Sequence, residues 1–133
     1  MSYPAKYRYT KDHEWIDVHG DLGTIGLTDY AQGKLGDVVF VELPGPGAAI
    51  EAGKTLGTVE SVKTANDIYA PVSGEVVEVN GGLKDAPENI NSDPHGVGWL
   101  VKVRLKNAAE IGTLMDAAAY QAYLSASAEK DSH

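Results

Sequence analysis

Cysteine is absent from the 133 residues. That excludes a disulfide framework, a cysteine nucleophile and thiolate metal ligands. Redox sulfur chemistry, if any, has to come from a group the protein does not encode. Long apolar runs are missing too, so no segment has the length of a bilayer span. The start, MSYPAKYRYT, lacks an apolar signal core and is not an Arg- and Ser-rich transit segment. These absences point to a cytoplasmic, bacterial protein away from membranes. Basic residues are scarce, 11 against 19 acidic, for a net charge of −8. Such a surface repels phosphate backbones and anionic lipid, which argues against nucleic-acid and membrane binding. It suits basic protein surfaces instead. The four histidines show no metal-ligand spacing, and no Walker loop, GxGxxG or GxSxG elbow occurs. With no nucleophile–base set in view, an enzyme is disfavoured.

What is present is a succession of short β-type segments punctuated by glycine and proline. HEWIDV (13–18) and DLGTIGL (21–27) flank His19-Gly20, a candidate tight turn. DVVFVEL (37–43), TLGTVESV (55–62), DIYA (67–70), GEVVEVN (74–80) and GWLVKVRL (98–105) follow. Many short strands at close spacing predict an all-β sandwich or barrel. Thr28–Gly36 is predicted to be a short helix, with Thr28 as its N-cap and Gly36 as its left-handed C-terminal residue. Leu83–Asn91 is expected to add a turn or two. Apolar residues at Leu114, Met115, Ala118, Ala119, Ala122 and Tyr123 predict an amphipathic helix over about 112–125, with a frayed tail at 126–133. The β core then spans about 7–110, all in one domain (1–133).

GTVESVKTANDIYAPVSGEVVEVN (57–80) sets Lys63 between two alternating arms. Alternation puts Val59, Ser61 and Lys63 on one strand face and Glu60 and Val62 on the other. Thr64-Ala65-Asn66-Asp67 supplies turn formers. The arms GTVESV and GEVVEV are alike enough to suggest a local two-fold around Lys63, or a chance match among valine-rich strands. On position alone, Lys63 is a solvated charge.

The segment ESVKTANDIYAPVSGEVVEVN (60–80) resembles the attachment site of lipoyl domains, and in detail that of glycine cleavage H-proteins. HEW (13–15), GTIGLTDYAQGKLGDVVFVELPGPG (23–47) and INSDPHGVGWLVKV (90–103) are similar to further blocks of that family in the same order. The resemblance runs from about Tyr7 to Tyr123. It implies a lipoyl/biotinyl-type barrel-sandwich hybrid of two small antiparallel sheets, with short peripheral helices and a C-terminal helix. It also implies a carrier whose Lys63 bears lipoic acid through an amide, on an arm of the order of 14 Å.

The partners implied are a pyridoxal-phosphate glycine decarboxylase, a tetrahydrofolate aminomethyltransferase, dihydrolipoamide dehydrogenase and the lipoylating enzyme. The arm would carry an aminomethyl group from the first to the second and be reoxidised by the third. A carrier docking on several enzymes is best as a monomer. Glu14 and Asp67 match acidic residues of the family's loaded-arm cleft, and Glu60 is a candidate for recognition by the lipoylating enzyme. At Lys34 some relatives have a cleft histidine, so Lys34 is set aside. Biotin carriers usually hold their lysine between methionines, whereas Val62 and Thr64 flank it here. Two alternatives stay open: a lipoyl or octanoyl relay to 2-oxoacid dehydrogenases, and an unmodified binding module on the same scaffold.

Overall fold

The alternating segments 14–19 and 22–27 pair as a hairpin around Gly20-Asp21, one residue later than the sequence suggests. The computed structural model describes residues 3–131. In chain order the elements are β1 (Arg8–Tyr9), β2 (Glu14–His19), β3 (Leu22–Leu27), α1 (Asp29–Leu35), β4 (Val38–Glu42), β5 (Ala49–Ile50) and β6 (Thr55–Ser61). Then come β7 (Ala65–Tyr69), β8 (Gly74–Val79), α2 (Asn89–Ser92), β9 (Val101–Leu105) and α3 (Ala117–Asp131). Residues Gly81–Leu83 and Ala108–Thr113 form 3-10 turns. One antiparallel sheet has the order β1-β2-β3-β9-β8-β5, the other β4-β6-β7. This is the mainly β, two-sheet architecture with short helices and a C-terminal helix that the sequence predicts. The two similar arms around Lys63 do not pair: β6 belongs to the small sheet and β8 to the large one.

Inward faces of both sheets share one core. Ile16, Ile25, Val76, Val101 and Val103 come from the large sheet; Val38, Leu56, Val59 and Ile68 come from the small one. Each such side chain removed from water contributes roughly 1.5–3 kcal/mol. Along β2, however, Glu14, Trp15 and Ile16 are all buried. Alternation fails there because the sheet is covered on both faces. Ile16 faces the main core, while Trp15 joins Tyr7, Tyr9 and Tyr120 of α3 in a second cluster. Trp15 lies directly over Gly26, its cross-strand partner, where a Cβ would come within 2.5 Å of the indole. The indole N–H is shared between the carbonyls of Leu27 and Pro94, both at 3.0 Å.

The C-terminal helix differs from the sequence expectation in start and in face. Asp116 Oδ1 accepts the Ala119 N–H at 2.8 Å, which caps the helix at Ala117, and Gly112-Thr113 close the preceding 3-10 turn. Its inner face is Ala117, Tyr120, Tyr123 and Leu124, while Ala118, Ala119 and Ala122 are exposed. Alanine favours helix without favouring burial, so the alanines mislead a pattern based on apolarity. The helical backbone continues through Asp131, beyond the expected start of the tail; residues 132–133, including His133, lie outside the described residues.

Helix α1 follows its local signals. The Thr28 hydroxyl accepts the Ala31 N–H at 3.2 Å, and Gly36 ends the helix at φ 80°. Chain reversal at Gly36 leads straight into β4 and so sets α1 beside the β6–β7 hairpin.

Candidate functional site

Strand β6 stops at Ser61, so the alternating face expected to reach Lys63 ends two residues short of it. Val62, Lys63 and Thr64 form the hairpin tip, and Ala65–Asp67 already belong to β7 rather than to the turn. Ser61 builds this tip, a role the sequence pattern does not reveal. Its backbone N–H donates to the Thr64 carbonyl at 2.8 Å. Its buried hydroxyl accepts from the Lys63 and Thr64 backbone N–H groups at 3.3 and 3.2 Å and donates to the Thr64 carbonyl at 3.3 Å. The Val62 N–H donates to the Asp37 carbonyl at 3.0 Å, tying the tip to the entry of β4. Lys63 is exposed, and no carboxylate among the described residues forms an ion pair with it. Its stem lies across Gly36: a Cβ there would sit 3.4 Å from Lys63 Cε and 3.8 Å from Nζ.

Glu14 and Asp67 meet in one cleft between the start of β2, α1 and the β6–β7 hairpin. The cleft, about 130 Å³, is lined in part by His13, Glu14, Lys34, Leu35, Asn66 and Asp67. It adjoins a wider depression of about 530 Å³ bounded by Lys11, Asp12, His13, Asn66, Asp67 and Tyr69. Asp67 is exposed, opposite Thr58 in the hairpin. Lys34, set aside on sequence, does line the cleft, with its ammonium 5.5 Å from the Tyr30 ring centroid. Neither Lys63 nor Glu60 lines it. Glu60 is exposed, directly between Phe40 on β4 and Ala65 on β7.

Glu14 is only 2% exposed. Its Oε1 accepts from the Thr10 hydroxyl at 2.6 Å, and its Oε2 accepts from the Tyr69 N–H at 3.4 Å. Thr10 Oγ1 in turn accepts the Glu14 N–H at 3.1 Å. Burial pushes the Glu14 carboxyl up to about 7, with the negative charge of Asp12 adding to the rise and the bonds from Thr10 and Tyr69 opposing it. Burial therefore makes its ionised form costly. His13 sits at the same rim with φ 71°, in the left-handed region. Its Nδ1 lies 2.8 Å from the Tyr120 hydroxyl, which is also 2.8 Å from the Thr28 hydroxyl. Helix α3 thus reaches through the second cluster to the cleft wall. Burial holds the His13 imidazole below its usual value. Thr10 and Ser61 are the supporting residues that sequence patterns miss. Only the four-residue spacing of Thr10 from Glu14 and the serine two before Lys63 hint at them.

A projecting lysine beside a cleft with a buried carboxyl is the arrangement against which known proteins can be compared. The glycine cleavage H-protein family matches residues 7–127. The chain belongs to the glycine cleavage H-protein family. It is 56% identical over 124 residues to the glycine cleavage system H protein of Acidobacterium capsulatum, covering 93% of this chain and 95% of that one. Identity to the H protein of Beijerinckia indica is 57% over 117 residues, covering 88% and 94%. The crystal structure of the H protein from Mycobacterium marinum superposes with a TM-score of 0.82 at 44% identity, over 89% of this chain and 95% of that one. Membership makes the chain a carrier subunit rather than an enzyme. The tip fits an acylated lysine on its own geometry: the amine is exposed, unpaired among the described residues and held on a hydrogen-bonded turn, with its stem passing over Gly36.

Proposed function

We propose that this chain is the lipoyl carrier of a glycine cleavage system and that Lys63 is the residue acylated. The observation that carries this is the single exposed lysine at the Ser61-braced tip, next to a cleft holding a buried carboxyl. When bound, lipoate supplies a disulfide that is opened, loaded with an aminomethyl group and reclosed by exchange and redox chemistry. The chain supplies everything else. Lys63 gives up its ammonium charge to an amide. The tip holds the attachment point clear of the sheets. Tethering raises the effective concentration of the arm at each docked enzyme.

Glu14, with Asp67 near the cleft mouth, is the proposed holder of an amine-bearing cargo. An ammonium group in the cleft favours the carboxylate and lowers its pKa, so Glu14 gives up its proton as the cation arrives. Leu35 and Val59 line the cleft beside it and give it an apolar side.

The proposed partners are the glycine decarboxylase, the aminomethyltransferase, dihydrolipoamide dehydrogenase and the lipoylating enzyme. The chain would act on them as a single-domain monomer in the bacterial cytoplasm. Two observations support that setting: the relatives are bacterial, and no helix among the described residues is long and apolar enough to cross a membrane.

The test is the intact mass of the protein from its own host, followed by a peptide map. One lipoyl increment on the Lys63 peptide, and loss of glycine-dependent NADH formation in Lys63→Arg with the three purified enzymes, are expected. An unmodified Lys63 in a host that lipoylates its other carriers would refute the proposal.

A further inference from the structure

Five large apolar side chains stand out as exposed among the described residues: Leu22, Val39, Phe40, Val62 and Val97. Three of them gather at one end of the small sheet. Val62, 69% exposed, neighbours Lys63 in the turn; Val39 and Phe40, 51% and 49% exposed, lie on β4. Register brings them together. Val38 pairs with Ser61, Phe40 pairs with Glu60, and the Val62 N–H is bonded to the Asp37 carbonyl. Phe40 is the chain's only phenylalanine. β4 is also an edge of its sheet. Isolated exposed apolar residues need no explanation, but a cluster on an edge strand is an association liability unless something covers it.

Apart from Lys63 itself, the charge around the patch is one-sided. β4, β6 and β7 carry Glu42, Glu60 and Asp67 and no lysine or arginine, and Asp37 precedes β4. A covering surface should therefore be apolar at its centre and basic at its rim. Reach then selects among partners. Once acylated, the arm extends on the order of 14 Å and can serve an enzyme docked at a distance. Before acylation only the lysine stem, about 6 Å long, separates the tip from the catalyst. The acylating enzyme alone is forced into contact with the hairpin's own surface.

We propose that Val39, Phe40 and Val62, framed by Asp37 and Glu60, form the docking surface for the enzyme that acylates Lys63. This rests on Lys63 being the acylated residue. In that step the deprotonated Nζ attacks the carbonyl carbon of a lipoyl adenylate. The C–N bond forms, the bond from the carbonyl carbon to the phosphate oxygen breaks, adenylate leaves with the electron pair, and nitrogen sheds its surplus proton. The patch contributes binding and orientation and takes no part in the bond changes.

The experiment uses the unacylated full chain, an ATP-dependent lipoate–protein ligase, ATP and lipoate, with acylation followed by intact mass. Phe40→Thr is expected to lower kcat/KM about tenfold or more, through KM, because truncating an aromatic anchor weakens docking and leaves Lys63 intact. Val39→Thr and Val62→Thr should follow in the same direction, and Leu22→Thr should match the wild type. Raising salt from about 0.05 to about 0.5 M should lower kcat/KM of the wild type, since the rim is charged. Val62 lies in the turn, outside any strand, so its variant carries the test if Phe40→Thr misfolds. Wild-type kcat/KM in both Phe40→Thr and Val62→Thr would overturn the proposal. So would variants acylated normally that then slow only the reactions with the glycine-processing enzymes, which would assign the patch to one of those. Failure of the wild type itself to be acylated would instead overturn the assignment of Lys63.

Discussion

Glu14→Gln is the sharpest probe of the cleft, because it keeps the shape and removes the charge. In the folded chain the carboxyl is raised from 4.5 to about 7, chiefly by burial. A raised acid binds its proton more tightly when folded, so between pH 4.5 and 7 the native state holds a proton that the unfolded state has lost. Stability then falls as pH rises, by 1.36 kcal/mol per unit, and levels off above 7. Integrated over the shift, ionised Glu14 costs the empty carrier about 3 kcal/mol at pH 8. Glutamine escapes this cost. It still accepts from the Thr10 hydroxyl, but its amide NH2 faces the Tyr69 N–H and forfeits that 3.4 Å bond, a loss of about 1 kcal/mol. The variant should therefore be more stable than the wild type by about 2 kcal/mol at pH 8, some 5–10 °C in melting temperature. At pH 4.5 it should be slightly less stable. The assay is the difference in urea-unfolding free energy between the two unacylated proteins across pH 4.5–9, which cancels every other titrating group. A difference that stays flat with pH would refute the raised carboxyl, and with it the claim that the empty cleft resists a bare negative charge.

Three further tests address the supporting residues. Ser61→Ala removes the hydroxyl that binds the Lys63 and Thr64 N–H groups and should destabilise the protein by about 1–2 kcal/mol, with faster amide exchange at both positions; unchanged exchange would show the turn to be fixed by other contacts. Gly36→Ala should cost about 1–3 kcal/mol, because φ 80° with ψ −157° is a glycine conformation. Gly33→Ala, inside α1 with open space around it, should instead stabilise by about 0.5–1 kcal/mol; urea denaturation of both variants checks the opposite signs. His95 Nε2 accepts the Asp29 N–H at 3.0 Å, and burial lowers its pKa, so the folded state resists protonation there. The unfolded chain takes up the proton first as pH falls below 6.5, and stability should drop in that window. A His95 NMR titration midpoint at or above 6.5 would contradict this.

Local signals in the sequence are the ones that survive in the structure. Thr28 and Gly36 bound α1 because a cap and a left-handed residue act within one turn, whatever the rest of the chain does. Strands β4, β6, β8 and β9 are legible for a similar reason, being β-branched runs, with proline or glycine just after β4 and β8. The two-residue strands Arg8–Tyr9 and Ala49–Ile50 carry no period of their own and exist only through their partners. Burial of Glu14 is equally invisible in HEWIDV. It depends on Thr10 upstream and on β7, 55 residues away, whose Tyr69 N–H reaches the carboxylate. Asp116 capping α3 could have been read from the sequence, but Leu114 and Met115, taken into the helical spacing, drew the expected start back to Gly112.

The cleft and the tip are separate pieces of one hairpin, and that separation has a consequence. Lys63 stands at the end of β6–β7, where its stem crosses Gly36 at the end of α1; Asp67 and Asn66 line the cleft from β7, and Leu35 and Lys34 line it from α1. One rigid unit thus sets both the anchor of an arm and the wall of the place where cargo would rest. Below pH 7 Glu14 in the empty cleft is neutral, and at no pH does an uncharged arm end offer it a charge to hold. A cationic cargo reverses this, because each unit by which it lowers the Glu14 pKa is 1.36 kcal/mol of attraction gained in the ionised form. Above pH 7 the proton is already gone, and the attraction relieves a penalty the fold already carries. Retention of an amine-bearing cargo should therefore strengthen as pH rises from about 5 to about 8, while an arm without an amine shows no such trend. Discrimination between loaded and empty arms then follows from one buried carboxyl whose ionisation the fold makes costly.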